Sequence, residues 1–105
     1  MYTDIDICEY LEHRFEEEVL VDIRDTHTWQ CGSIPGAIHI PIDEIRKLYS
    51  LPRDKKICVF CQAGEVSGQY VQLLDDAGYD AYNLTGGFRK YLREHVGEKT
   101  ETAEV

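Results

Sequence analysis

Lys55-Lys56-Ile57-Cys58-Val59-Phe60-Cys61-Gln62-Ala63-Gly64-Glu65-Val66-Ser67-Gly68-Gln69-Tyr70 is the stretch on which the rest of the chain turns. Ile57 to Phe60 make an apolar run of strand character that ends at Cys61. A loop of small and polar residues follows. Tyr70, Val71, Leu73, Leu74 and Ala77 then give an apolar face at helical spacing, and Gly78 stops it. This order predicts Cys61 at the C-terminal edge of a sheet, facing the start of the next helix. Backbone N–H groups converge at such a place and the helix dipole favours negative charge, so a thiolate is stabilised there. Gly64 is expected to take a positive φ and let the loop fold tightly.

Outward from this stretch, strand and helix patterns alternate. Asp6 with Glu9 reads as a capping box, opening a first helix from about Asp6 to Arg14 with Ile7, Tyr10, Leu11 and Phe15 on one stripe. Val19-Leu20-Val21-Asp22-Ile23 is a strand buried on both faces, with Asp22, Arg24 and Asp25 gathered at its C-terminal end. Thr26 to Gln30 makes one helical turn, and the turn-rich Gly32–Ala37 leads to a short strand at Ile38-His39-Ile40. Ile42, Ile45, Leu48 and Tyr49 line a second short amphipathic helix. A strand at Ala81–Leu84, a tight turn at Gly86-Gly87 and a helix from Phe88 to His95 complete the pattern. The expected fold is α/β, a central mostly parallel sheet of about four or five strands with helices on both faces. Ligand sites in such sheets lie beyond the C-terminal strand edges, which would gather Cys61, the Asp22–Arg24 corner and the Gly86-Gly87 turn.

The chain has 105 residues, enough for one domain, expected over residues 1–95 with an acidic, disordered tail over 96–105. Its formal net charge of -9, from 20 acidic and 11 basic residues, argues against nucleic acid or an anionic membrane as partner. There is no leader-like charged and apolar start and no apolar run long enough to span a bilayer, so a soluble cytoplasmic protein is expected. Cys58 and Cys61 form a C-x-x-C, which reads as a redox motif or as half a zinc site. Zinc needs further ligands, and Cys8 and Cys31 are isolated from each other, so neither a metal nor any other cofactor is expected. Cys58 is read as a small buried hydrophobe, and Cys31 as a loop cysteine without a role.

The ordered motifs resemble a known family. Val21-Asp22-Ile23-Arg24-Asp25 followed by Gly32-Ser33-Ile34-Pro35-Gly36-Ala37-Ile38-His39-Ile40-Pro41 is similar to the "DVRE … GHIPGAINIP" signature of single-domain rhodaneses. Val59-Phe60-Cys61-Gln62-Ala63-Gly64-Glu65-Val66-Ser67 looks like their "VYCxxGxRS" loop, and Asn83-Leu84-Thr85-Gly86-Gly87 like their closing "L-x-GG". The resemblance implies a sulfurtransferase with Cys61 as the nucleophile that carries a sulfane sulfur as a persulfide. It implies that Gln62, Ala63, Gly64, Glu65, Val66 and Ser67 form the substrate-binding loop, and that Asp22 and Arg24 brace the site. Gly86 and Gly87 are expected as turn formers lining the pocket. The implied partners are a sulfur donor and a thiol acceptor.

Three departures bear on the substrate. The family's loop Arg falls at Val66, with Glu65 before it, its His becomes Ser33, and its closing Trp becomes Tyr91. Without the loop cation thiosulfate is expected to be a poor donor, and a small-molecule or protein persulfide the better one. Two other readings stand beside this one: a non-catalytic binding or persulfide-sensing module, and a cysteine-dependent phosphatase. The phosphatase needs an Arg to clamp phosphate where this loop has Val66.

Overall fold

The computed structural model describes residues 2–97. Five strands, β1 (Thr3–Asp6), β2 (Glu18–Asp22), β3 (Ile38–His39), β4 (Lys56–Phe60) and β5 (Asp80–Thr85), form one sheet in the order β1-β5-β4-β2-β3. Every pairing is parallel, so the mostly parallel sheet of the expectation is wholly parallel. Four α-helices connect or follow the strands: α1 (Ile7–Glu12), α2 (Thr26–Gln30), α3 (Glu65–Asp76) and α4 (Gly87–Leu92).

β4 is the centre because its side chains can be buried on both faces. Ile57, Cys58, Val59 and Phe60 are all fully buried. The pleat sends alternate residues to opposite sides, which divides the core in two. Ile57, Val59 and Cys61 join Val21, Ile23, Val71, Leu74 and Tyr79 on the face covered by α3. Cys58 and Phe60 join Ile7, Tyr10, Leu20, Leu84 and Phe88 on the face covered by α1 and α4. Burying each large apolar side chain contributes about 1.5–3 kcal/mol, so this strand anchors the sheet and fixes where Cys61 emerges.

The helix signals behave as their chemistry demands. Asp6 caps α1 by accepting from the N–H groups of Cys8 at 2.9 Å and Glu9 at 3.2 Å. α3 closes with paired backbone bonds, Gly78 N–H to Asp75 O and Tyr79 N–H to Leu74 O, each at 3.0 Å, the Schellman arrangement that a glycine stop permits.

Four expectations are corrected. β1 was not expected: its Thr-Asp-Ile-Asp sequence is poor in strand formers, and it forms because it pairs along β5 from Thr3↔Tyr82 to Asp6↔Thr85. The segment from Ile42 to Ser50 is 3₁₀ rather than α, with a kink at Glu44. Its apolar residues Ile42, Ile45 and Leu48 recur every three positions, the 3₁₀ period, while Tyr49 falls off the stripe and is exposed. Leu73, assigned to the apolar face of α3, is exposed, since the sheet meets only Val71 and Leu74 squarely. The last helix ends at Leu92 and continues as a π-helical turn over Arg93–Gly97. The tail expected over 96–105 lies, from residue 98 onward, outside the described residues. Among the described residues no helix is long and apolar enough to cross a membrane.

Candidate active site

Cys61 leaves the end of β4 and turns its sulfur back towards the start of α3. Sγ accepts from the backbone N–H of Gly64 at 3.1 Å and of Ser67 at 3.3 Å, and lies 3.4 Å from the Ser67 hydroxyl. Cys61 is 6% exposed, buried yet open to a ligand. The expected positive φ at Gly64 is present, at +93°, and a Cβ there would come within 2.9 Å of the Gly86 nitrogen. The chain can therefore make this turn, packed on the β5–α4 corner, only with glycine. Of the loop's N–H groups, those of Gly64 and Ser67 donate to Sγ; Gln62, Ala63, Glu65 and Val66 have exposed side chains around them.

Asp22 and Arg24 form a buried ion pair beside this loop. The guanidinium is bidentate, with Nε 3.0 and 3.1 Å from the two carboxylate oxygens and Nη2 2.7 Å from Oδ2. Arg24 Nη2 also donates to the Gly32 carbonyl at 2.6 Å, Nη1 reaches Gln62 Oε1 at 3.5 Å, and the group lies 4.0 Å above the Phe88 ring. Ser33, standing where the family has His, donates to Asp22 Oδ2 at 2.7 Å. The pair thus ties β2, the Gly32-Ser33 turn, the Cys61 loop and α4 together. Its low exposure makes every one of these bonds necessary, because a buried charge without partners is costly.

The Gly86-Gly87 turn holds the loop from behind rather than lining its pocket, which corrects the expectation. Phe88 N–H donates to the Cys61 carbonyl and Arg89 N–H to the Gln62 carbonyl, each at 2.9 Å. Gly87 has φ +61°, and a Cβ on it would stand 2.5 Å from the Cys61 oxygen. The start of α4 can approach the Cys61 backbone this closely because residue 87 has no side chain.

In front of Cys61 lies a cavity of about 380 Å³ lined by Ile23, Arg24, Asp25, Thr28, Ile42, Gln62 and Val66. Ile23, Ile42 and Val66 make its walls apolar. Among the described residues its one cation is Arg24, whose charge is already met by Asp22. Glu65 is exposed and is not part of the lining. Cys58 packs on the opposite face of the sheet from Cys61, so the C-x-x-C neither closes as a redox pair nor offers both sulfurs to one metal. Burial, and after it the charge of Glu18, pushes the Cys58 thiol up to about 12. Cys31 is exposed at the end of α2 and none of the four cysteines is paired with another.

Two contributors escaped sequence reasoning. Phe88 supplies the face on which Arg24 lies, and Asn83, 4% exposed, accepts from the Ser67 hydroxyl at 2.5 Å. Asn83 had a visible signal: an amide in the middle of a buried strand requires partners.

Comparison with known proteins agrees with this architecture. The family model described as the rhodanese-like domain matches residues 8–94. A tRNA sulfurtransferase of Desulfurococcus amylolyticus is 31% identical over 71% of this chain, which spans only 15% of that protein. A Bacillus subtilis protein that bears the name "putative sulfurtransferase YtwF" is 34% identical over 75% of this chain and 78% of its own length. Among solved structures, a rhodanese-related protein from Thermoplasma volcanium superposes with a TM-score of 0.82 at 32% identity, covering 90% of this chain and 94% of that one. A rhodanese-like domain protein from Staphylococcus aureus gives 0.75 at 29% identity, with 83% and 88% covered. With the five-stranded parallel sheet and the Cys61 loop in place, these matches make the chain a member of the rhodanese-like domain family, and two of the relatives given above carry sulfurtransferase names.

Proposed function

We propose that Cys61 carries a sulfane sulfur as a persulfide between an organic or protein-bound persulfide donor and a thiol acceptor. The observation that carries this reading is the Cys61 sulfur itself: it sits at the edge of a cavity and accepts two backbone N–H bonds, from Gly64 and Ser67. Such donors stabilise negative charge on sulfur without any side-chain cation. In the first step the Cys61 thiolate attacks the outer sulfur of R–S–SH, forming Cys61–S–SH and releasing R–S⁻. In the second a thiolate acceptor attacks the outer sulfur of Cys61–S–SH, the Cys61 thiolate departs, and the transferred sulfur leaves as the acceptor's persulfide. No external oxidant or reductant is needed, since each step exchanges one S–S bond for another. Asp22, Arg24, Gly86 and Gly87 act by holding the loop. The chemistry suits a reducing compartment such as the cytoplasm, where Cys61 stays a free thiol.

Intact mass spectrometry after incubation with an organic persulfide tests this directly. Wild type is expected to gain one sulfur and Cys61→Ser none. No gain on wild type, or equal gain on both proteins, sinks the proposal.

The cavity favours an uncharged or weakly charged donor. Its walls are apolar, its guanidinium is neutralised by Asp22, and Asp25 adds a carboxylate to the lining. A dianion such as thiosulfate meets no free positive charge there. Val66→Arg should therefore raise thiosulfate turnover by about fivefold, the equivalent of about 1 kcal/mol for one partly exposed charge contact. Unchanged or lower turnover in a steady-state thiocyanate assay would remove the electrostatic account of donor choice.

A further inference from the structure

Behind the Cys61 loop, a chain of side chains runs from the edge strand β1 into the sulfur. Asp4 and Asn83 are partners in register on β1 and β5, so their side chains rise on the same face of the sheet. Asn83 Nδ2 lies 3.0 Å from Asp4 Oδ1 and 3.2 Å from the Gly64 carbonyl. A carboxylate and a carbonyl both lack hydrogens, so the amide nitrogen must face them and the amide oxygen must face Ser67. The 2.5 Å contact between Asn83 Oδ1 and Ser67 Oγ then requires the hydroxyl hydrogen between them. With its proton committed, the Ser67 oxygen presents only a lone pair to Cys61 Sγ at 3.4 Å.

We infer that Asp4 and Asn83 are positioning residues that withhold the Ser67 hydroxyl proton from Cys61. This rests on the proposal that Cys61 is the reacting group. Of the three polar contacts on Sγ, the two backbone N–H groups favour thiolate, and the Ser67 oxygen favours the protonated thiol, which can donate to it. The arrangement restrains the resting nucleophile. If Asn83 ceased to accept, the hydroxyl would turn to the sulfur and become a third donor. Charged groups that bear on Cys61 from elsewhere are Arg24 and Asp25 across the cavity, with Arg24 offset by Asp22, and the exposed Glu65 at the start of α3. None of them is altered by substitutions at Asn83.

The test is the pH profile of Cys61 alkylation by iodoacetamide on the full chain, resolved from the other cysteines by peptide mapping. Run on reduced, unloaded protein, it reads the Cys61 thiol whether or not Cys61 serves as a sulfur carrier, so it fails independently of the sulfur-loading experiment. Asn83→Leu is expected to move the midpoint to lower pH and to raise the rate near neutral pH by about tenfold, the scale of one hydrogen bond to a charged group. In a Ser67→Ala background the same substitution should move nothing, because no hydroxyl remains to be released. A midpoint that stays or rises in Asn83→Leu, or a shift that persists without the Ser67 hydroxyl, overturns the inference. Should Asn83→Leu not fold, the exposed Asp4 gives a second route through Asp4→Asn and Asp4→Leu. Both remove its charge and only leucine removes its acceptor, which leaves the Gly64 carbonyl alone to hold the amide, so the midpoint should fall further for Asp4→Leu; equal profiles would refute the positioning role of Asp4.

Discussion

Asp22→Ala should lower the unfolding free energy by about 3–5 kcal/mol, the range for removing one partner of a buried ion pair. Urea melts would read it as a lower midpoint at unchanged slope. The size follows from what the carboxylate satisfies: the Arg24 guanidinium, the Arg24 backbone N–H at 3.0 Å, and the Ser33 hydroxyl. The Arg24 side chain is only 4% exposed, so without Asp22 its charge stays buried with no carboxylate, held by the Gly32 carbonyl, the Gln62 amide oxygen and the Phe88 ring. Removing both charges in Asp22→Ala, Arg24→Leu should cost less than Asp22→Ala by itself. A single-variant loss below about 1 kcal/mol would mean that Arg24 escapes to water, and that the pair does not brace the loop.

Gly87→Ala carries the second large effect, this time on the site more than on the fold. The added carbon would lie 2.5 Å from the Cys61 oxygen and 2.7 Å from the Gln62 carbonyl, both of them backbone atoms. Since neither can swing aside, the loop must shift, and a displacement of about 1 Å at a reacting group typically costs on the order of a hundredfold in rate. Sulfur loading of Cys61, timed by mass spectrometry, should fall by that factor, while far-ultraviolet circular dichroism keeps its native form. Gly36→Ala isolates the backbone cost alone, because nothing lies within 4 Å of its added carbon. Its loading rate should match wild type. Equal behaviour of the two variants would show that the α4 contact does not position Cys61.

How much could be read without coordinates depended on where the partners of each residue lie. The runs Val19–Ile23 and Ile57–Phe60 announced buried strands because burial on both faces leaves no room for polar alternation. Asp6 and Gly78 announced helix ends because their chemistry is local. The Cys61 loop was legible for the same reason: strand, small residues and helix follow one another within the quoted stretch. β1 was not, since its strand state comes from β5, about 80 residues away, and not from Thr3-Asp4-Ile5-Asp6 itself. The Asp22–Arg24 corner was visible as a cluster of charge, but its hold on Gly32, Gln62 and Phe88 is set by folding. The Asn83 amide shows the limit most clearly. Its place in a buried strand signalled a need for partners, yet only the sheet register reveals that they are Asp4, Gly64 and Ser67.

That register also constrains the order of events as the chain is made. β1 has one neighbour in the sheet, β5, which lies between it and β4. During vectorial synthesis the first strand therefore has nowhere to pair until the last has emerged. The same late segment brings Asn83 and the N–H groups that grip the Cys61 and Gln62 carbonyls. A nascent chain that has reached α3 holds its cysteine in an unfinished loop, and the contacts from β5 and α4 that set the thiol in place come only with those later elements.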